Sequence, residues 1–277
     1  MPAPDAISCD KLAKLIGTPK APIVLDVRRA ALREEDPRAI PTARLLSDGE
    51  ITPSAVSALL PSLAGQPVVV ACAAGHGRSQ GLAALLRAAG VAAEYLEGGH
   101  AAWVAAGLPT YDLRKIGGRD GDGRSLWVTR ARPKIDRIAC PWLIRRFIDP
   151  RAVFLFVSPQ EVRAVAEAMG AAPFDIEDVF WSHRGETCTF DTLIAEFGLA
   201  ILALDRLATI VRGADTARPD LAPEGAGLLA ASLGLSRMHT DDHAQLEAGM
   251  ALYDAFYRWA RDATEEIHNW PNSAKAK

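Results

Sequence analysis

Residues 68–79 read Val-Val-Val-Ala-Cys-Ala-Ala-Gly-His-Gly-Arg-Ser, and they constrain the fold more than any other stretch of the chain. A run of β-branched residues is a buried strand, and it stops at Cys72. A loop of small residues follows, then Arg78, then Ser79, which can open a helix. A strand handing over to a helix through so short a loop belongs in a parallel α/β sheet. The small side chains allow the amides of Ala73, Ala74, Gly75, His76 and Gly77 to turn inward. The next helix points the positive end of its dipole at the same place. A thiol there ionises more easily than a free cysteine, and the thiolate is the nucleophile. The stretch therefore predicts an anion cradle around a reactive sulfur. Cys72 and Arg78 are its candidate catalytic groups. Ala73, Ala74, Gly75, His76, Gly77 and Ser79 are its candidate substrate- or oxyanion-binding groups.

The flanking pattern extends this unit. A capped helix is expected over 8–16, a strand over 23–28, a helix over 52–63, another over 79–89, a strand over 91–96 and a short helix over 100–106. Residues 30–50, interrupted by Pro37 and Pro41, read mainly as loop. Residues 113–124 hold four glycines and mixed charge without apolar periodicity, and predict a linker open to proteases. Beyond it the pattern is mainly helical. Helices are expected over 140–148, 159–169, 190–197, 202–212, 222–233 and 241–261, with strands near 125–130 and 153–157. Tyr253, Phe256, Tyr257 and Trp259 fall at mostly helical spacing and predict core. The division is thus 1–112, a linker 113–124, a second unit 125–263 and a polar tail 264–277, loose over 269–277.

Formal net charge is −3, which gives no whole-chain pull toward nucleic acid or an anionic membrane. No run approaches the roughly 18 apolar residues of a spanning helix. The first ten residues have neither a basic stretch nor an apolar one. The four cysteines, at 9, 72, 140 and 188, are far apart. Reduced thiols in a cytoplasm fit this spacing better than a disulfide framework.

Asp26-Val-Arg28, the strand into Cys72, the loop ending Arg78-Ser79, Leu96-Glu-Gly-Gly-His-Ala-Ala-Trp103 and Gly107-Leu-Pro109 together resemble a single rhodanese domain over roughly 5–112. The resemblance implies an α/β fold with a small parallel sheet and a cysteine, here Cys72, that carries sulfane sulfur as a persulfide without a cofactor. Its partners would be a small sulfur donor or tetrahedral oxyanion and a thiol acceptor. Many rhodaneses have C-x4-R in this loop, whereas this chain has five residues between Cys72 and Arg78. That width is similar to rhodanese-fold phosphatases and arsenate reductases. In such a reading the imidazole of His76 would be the general acid.

The second unit carries Trp127 to Asp149 with its Arg-Pro-Lys-Ile-Asp-Arg-Ile-Ala-Cys-Pro-Trp core, Pro173-Phe-Asp-Ile, Ser182-His-Arg-Gly-Glu-Thr-Cys-Thr-Phe-Asp191 and Val211-Arg-Gly-Ala-Asp-Thr216. Together these resemble the C-terminal domain of the ChrB chromate-resistance family over about 125–262, a mainly helical α+β unit. The resemblance implies a part in chromate tolerance, with several members acting as regulators or sensors. Arg130, Arg132, Lys134, Arg137, Arg145 and Arg146 form a basic cluster. It suits an oxyanion, or is a solvated face paired with acids such as Asp136 and Asp149. His183, Glu186, Cys188 and Asp191 are dense in ligand chemistry, and Asp215 and the helical pair His243 and Glu247 can join them. The candidate metal ligands are His183, Asp215 and His243. Three functions stay open: sulfur transfer through Cys72, a non-catalytic oxyanion or metal sensor, and a phosphatase or oxyanion reductase.

Overall fold

The structure is a computed structural model that describes residues 5–63 and 65–266. The expected loose tail over 269–277 lies outside the described residues. In chain order the first half forms β1 (Ala6–Ile7), α1 (Cys9–Leu15), β2 (Ile23–Asp26), α2 (Ala30–Glu35), β3 (Arg38–Ala39), β4 (Arg44–Leu45), α3 (Pro53–Leu59), β5 (Val68–Ala71), α4 (Gly77–Ala88), β6 (Ala93–Leu96), α5 (Gly99–Ala105) and β7 (Tyr111–Asp112). Ser8 accepts the Lys11 amide and caps α1. Thr52 accepts the Ala55 amide and caps α3, with Pro53 in its first turn.

The main sheet has five parallel strands in the order β1-β6-β5-β2-β4. Alternation along the central strands splits their side chains between two faces. Leu25, Val68 and Val70 pack with Val56 and Leu59 of α3 and Leu82 and Leu86 of α4. Val24, Val69 and Ala71 face the other way, toward Leu12 of α1 and Trp103 of α5. Residues 30–50 hold more structure than their prolines imply. β4 pairs with β2, and β3 pairs antiparallel with β7. Pairing with distant strands orders a segment whose local pattern is weak.

The second half forms β8 (Leu126–Arg130), α6 (Asp136–Leu143), β9 (Val153–Val157), α7 (Val162–Met169), β10 (Ala172–Pro173), α8 (Thr189–Phe197), α9 (Leu202–Asp215), α10 (Glu224–Met238) and α11 (Asp242–Asp262). It is mainly helical, with a three-stranded parallel sheet in the order β10-β8-β9. The helix expected over 140–148 starts four residues earlier, at Asp136, and runs into a π-helical turn at Ile144–Ile148. That turn turns Phe147 inward beside Trp142, whose ring centroid lies 5.9 Å from that of Phe147 and 5.4 Å from that of Tyr257. Tyr253 and Tyr257 are buried as expected, and Phe256 and Trp259 are partly buried against the same core.

The two halves meet in one apolar cluster, which holds Leu12, Val24, Trp103 and Tyr111 together with Trp142, Phe147, Phe190 and Tyr253. The rings of Tyr111 and Phe197 meet edge to face at 6.3 Å, and the Thr42 amide donates to the Phe147 carbonyl at 3.0 Å. The segment 113–124, expected to be a bare linker, is ordered. Ile116 is buried, the Leu126 amide donates to the Gly118 carbonyl, and the Asp120 carboxylate accepts the amides of Asp122 and Arg124. Glycine content predicts mobility only where no such local bonds replace the missing apolar pattern. Among the described residues, no helix is long and apolar enough to cross a membrane.

Candidate functional site

Cys72 leaves the carboxyl end of β5 with only 6% of its surface exposed. Above it Ala74, His76 and Gly77 are exposed, so the sulfur lies just beneath a small rim. The His76 amide donates to Sγ at 3.3 Å, and the Ser79 hydroxyl lies 3.1 Å from it. Burial works to raise the thiol pKa. The hydrogen bonds from the Ser79 side chain and the amides of Ala74, Ser79 and His76 outweigh it, and the net result is a thiol below the ordinary cysteine value.

The turn before α5 holds this loop in place. The His100 amide donates to the Cys72 carbonyl at 2.8 Å and the Ala101 amide to the Ala73 carbonyl at 2.9 Å. A Cβ on Gly99 would stand 2.3 Å from that Cys72 carbonyl oxygen, and one on Gly75 would stand 2.7 Å from the Gly98 amide nitrogen. Both glycines have positive φ, so close approach and backbone conformation both require glycine there. Next to the loop, Arg28 forks onto Asp26 in a buried ion pair with Nη2–Oδ2 of 2.7 Å. Arg28 Nη1 also lies 3.2 Å from His100 Nε2. This network fixes the end of β2 against the start of α5.

Arg78 is bonded to the end of β2 and to the segment before α3. Its Nε donates to the Val27 carbonyl at 2.9 Å and its Nη2 pairs with Asp48 at 2.5 Å. It ties the start of α4 to the end of β2. Nothing in the spacing of Asp48 from Arg78 announces this pairing, because the two meet only through the folding of 30–50.

In the second half, His183 and Asp215 come together as expected, and they do so with Asp136 and Asp175. His183 Nε2 lies 3.4 Å from an Asp136 oxygen, 3.3 Å from one of Asp175 and 3.4 Å from one of Asp215. The four residues arrive from the start of α6, the segment after β10, the loop before α8 and the end of α9. Asp136, Asp175 and His183 can present ligand atoms to one ion. The carboxylates of Asp136 and then Asp175, as acceptors facing the imidazole N–H, push the His183 pKa up to about 10. Burial, then the charges of Asp136 and Asp175, push that of Asp215 up to about 7. Ile135, immediately before Asp136, has φ +40°, and Asp175 has φ +52°. A β-branched residue at positive φ is an outlier, and such strain gathers at functional sites.

His243 does not join this cluster: its ring packs edge to face on Phe156 at 5.4 Å, and its helical partner Glu247 pairs with Arg145. Asp136 and Asp175 carry no spacing signal, being separated by 39 positions; the nearest hint is an aspartate placed to open a helix. Cys140 and Cys188 are buried beside the cluster, and burial raises both thiols. Five of the six cations in the basic cluster have internal partners. Arg130 and Arg137 pair with Asp175, Arg145 with Glu247, and Arg146 with Asp254. Arg132 donates to the carbonyls of Ser236, His239 and Thr240. The cluster is thus distributed among separate structural contacts. A cavity of about 580 Å³ lies between the halves, lined by residues such as Arg44, Arg151 and Asp149, and neither the Cys72 loop nor the His183 cluster opens into it.

The parallel sheet, the thiol at the end of its central strand and the glycine-bound loop define the first half as a rhodanese-like domain, and residues 8–106 match the family model of that description. Residues 127–260 match the model described as ChrB, C-terminal domain. The chain therefore matches a rhodanese-like model over its first half and a ChrB C-terminal model over its second. It is 34% identical over 155 residues to Protein ChrB of Cupriavidus metallidurans, a match covering 56% of this chain and 44% of that protein. The chain thus spans less than half the length of that relative. Among solved structures it is similar to a thiosulfate sulfurtransferase from Pseudomonas aeruginosa, with 31% identity, 40% of this chain and 20% of that one covered, and a TM-score of 0.33. It is also similar to a rhodanese-like domain protein from Staphylococcus aureus, with 28% identity, 36% and 90% covered, and a TM-score of 0.30.

Proposed function

We propose that the protein serves chromate resistance in the cytoplasm and that its first half transfers sulfane sulfur through Cys72. The observation that carries this reading is the sulfur itself, set 3.3 Å from the His76 amide and 3.1 Å from the Ser79 hydroxyl. The Cys72 thiolate attacks the outer sulfur of a thiosulfate-type donor. A new S–S bond forms, the donor's S–S bond breaks, and sulfite leaves with the electron pair. The terminal sulfur of the resulting persulfide is anionic, and in this scheme the amides of the Cys72 loop stabilise it. An acceptor thiolate then attacks that terminal sulfur, and Cys72 leaves as a thiolate.

Cys72 is the catalytic residue in this scheme. Arg78 positions the loop by anchoring the start of α4. Its guanidinium donates to Asp48 and to the Val27 carbonyl, and the donors named at the sulfur are the Ser79 hydroxyl and the loop amides, which supports sulfur carriage. A thiosulfate:cyanide assay should give thiocyanate, and Cys72→Ala should abolish it. Mass spectrometry of the thiosulfate-treated protein should find one added sulfur on the peptide containing Cys72. Thiocyanate formation that survives in Cys72→Ala sinks the proposal. A wild-type protein that forms no persulfide leaves the sensor reading, and one that hydrolyses an aryl phosphate through Cys72 leaves the phosphatase reading.

A further inference from the structure

From the meeting of His183 Nε2 with carboxylate oxygens of Asp136, Asp175 and Asp215, we infer that the second half holds a first-row divalent cation of the zinc or manganese type. The distances carry the argument. The three separations from Nε2 are 3.4, 3.3 and 3.4 Å. An imidazolium in a charge-assisted hydrogen bond sits about 2.7–2.9 Å from its acceptor, and one Nε2–H has a single proton for three carboxylates. Donors about 2.0–2.1 Å from a zinc ion stand about 3.3–3.4 Å apart in a tetrahedral site, which is the separation of Nε2 from each of the three carboxylate oxygens, and the ligand atoms of Asp136, Asp175 and His183 all lie within 4.8 Å of one another. The imidazole and the carboxylates of Asp136 and Asp175 are close enough to share one ion, with Asp215 beside the imidazole, and each separation is longer than a short charge-assisted hydrogen bond.

The surroundings are those of an oriented ligand set. Thr189 donates its amide to Asp136 Oδ2 at 2.6 Å and its hydroxyl to Asp175 Oδ1 at 3.1 Å, so one residue aims two of the carboxylates. The Phe190 amide donates to the other Asp136 oxygen. Arg130 and Arg137 both reach Asp175 Oδ2 and leave its Oδ1 toward His183. Such outer bonds hold carboxylates in a ligating orientation. Asp136 is 1% exposed and the His183 side chain 39%, so the cluster has a buried base and an open side through which an ion can enter. One imidazole nitrogen with carboxylate oxygens forms a hard to borderline set, which suits Zn²⁺, Mn²⁺ or Fe²⁺ better than a thiophilic ion.

The test uses the full chain, freed of metal by a chelator and dialysed against Zn²⁺ or Mn²⁺, with bound metal counted by atomic emission. The variants are His183→Ala and Asp215→Asn. Asp136 is left alone because its carboxylate also accepts the first amides of α8. Circular dichroism confirms that both variants fold. The parent should bind about one ion per chain and melt at a higher temperature with the ion than without it. Both variants should bind at least tenfold more weakly and lose that rise. A parent that takes up no saturating ion overturns the inference. So does either variant binding like the parent, since the ion would then sit on the thiols or elsewhere.

Discussion

The Ser79 hydroxyl has two acceptors within reach, the Cys72 sulfur at 3.1 Å and the His76 carbonyl at 3.1 Å. When the thiol is neutral the two compete; when it is ionised the sulfur is the stronger acceptor and the hydroxyl turns to it. Ser79 is fully buried, so water does not replace its bond if the hydroxyl is removed. The alkylation rate of Cys72 should therefore follow its thiolate fraction with a midpoint below the ordinary cysteine range, and Ser79→Ala should move that midpoint to higher pH. The check is iodoacetamide labelling against pH, read by mass spectrometry, with Cys140 and Cys188 as slow internal references because burial raises both. An unmoved midpoint would mean that the loop amides alone set the thiol. At this scale the sequence was readable where chemistry and chain position coincide: Cys72, the loop and Ser79 lie within eight consecutive positions. It was unreadable where function depends on distant chain crossings. Asp48 pairs with Arg78 across 30 positions, and Asp136 and Asp175 complete a cluster of which only His183 and Asp215 were recognised.

The elements that position the thiol are β5, the turn ahead of α5, and α4. β5 was legible because buried parallel strands are continuous apolar runs, and α4 because its alanines and leucines end at a glycine. The turn is the most exacting part. Its Gly99 has φ +59° and lies against the Cys72 carbonyl. Gly99→Ala adds a methyl where 2.3 Å is available and asks an L-residue to adopt a left-handed conformation. The combined cost should be at least about 2 kcal/mol, or a fall of about 4 °C or more in melting temperature for a protein of this size. Sulfur transfer should fall further than stability alone explains, because the displaced carbonyl belongs to Cys72 itself. A calorimetric scan and a thiocyanate assay below the transition separate the two effects. In the second half the short strand β10 escaped the pattern: two residues, one of them proline, make a strand only because β8 is there to pair with them.

Two domain families meet in this chain, yet one apolar cluster runs through both. The sheet face bearing Val24, Val69 and Ala71 is covered first by α1 and α5 and then by the aromatic core of the second half. Composition could not show this, because a glycine-rich connection is equally compatible with independent units and with units packed on each other. Phe147 sits at the join. It is 1% exposed, its carbonyl accepts the Thr42 amide, and its ring packs beside Tyr257 at 5.5 Å. The ring also reaches Gly17, where an added Cβ would stand 2.4 Å from it. Phe147→Ala should cost about 3–5 kcal/mol, and the loss should fall on both halves at once. The parent should melt in one calorimetric transition, and the variant in one transition at lower temperature. Exposure of Cys72 to alkylation and loss of helical circular dichroism should move together. The segment 113–124 should resist limited proteolysis in the parent, and cleavage there should become prominent only as Phe147→Ala approaches its melting range. Two separate transitions, with Cys72 protection unmoved by the substitution, would show instead that the halves fold independently and merely touch.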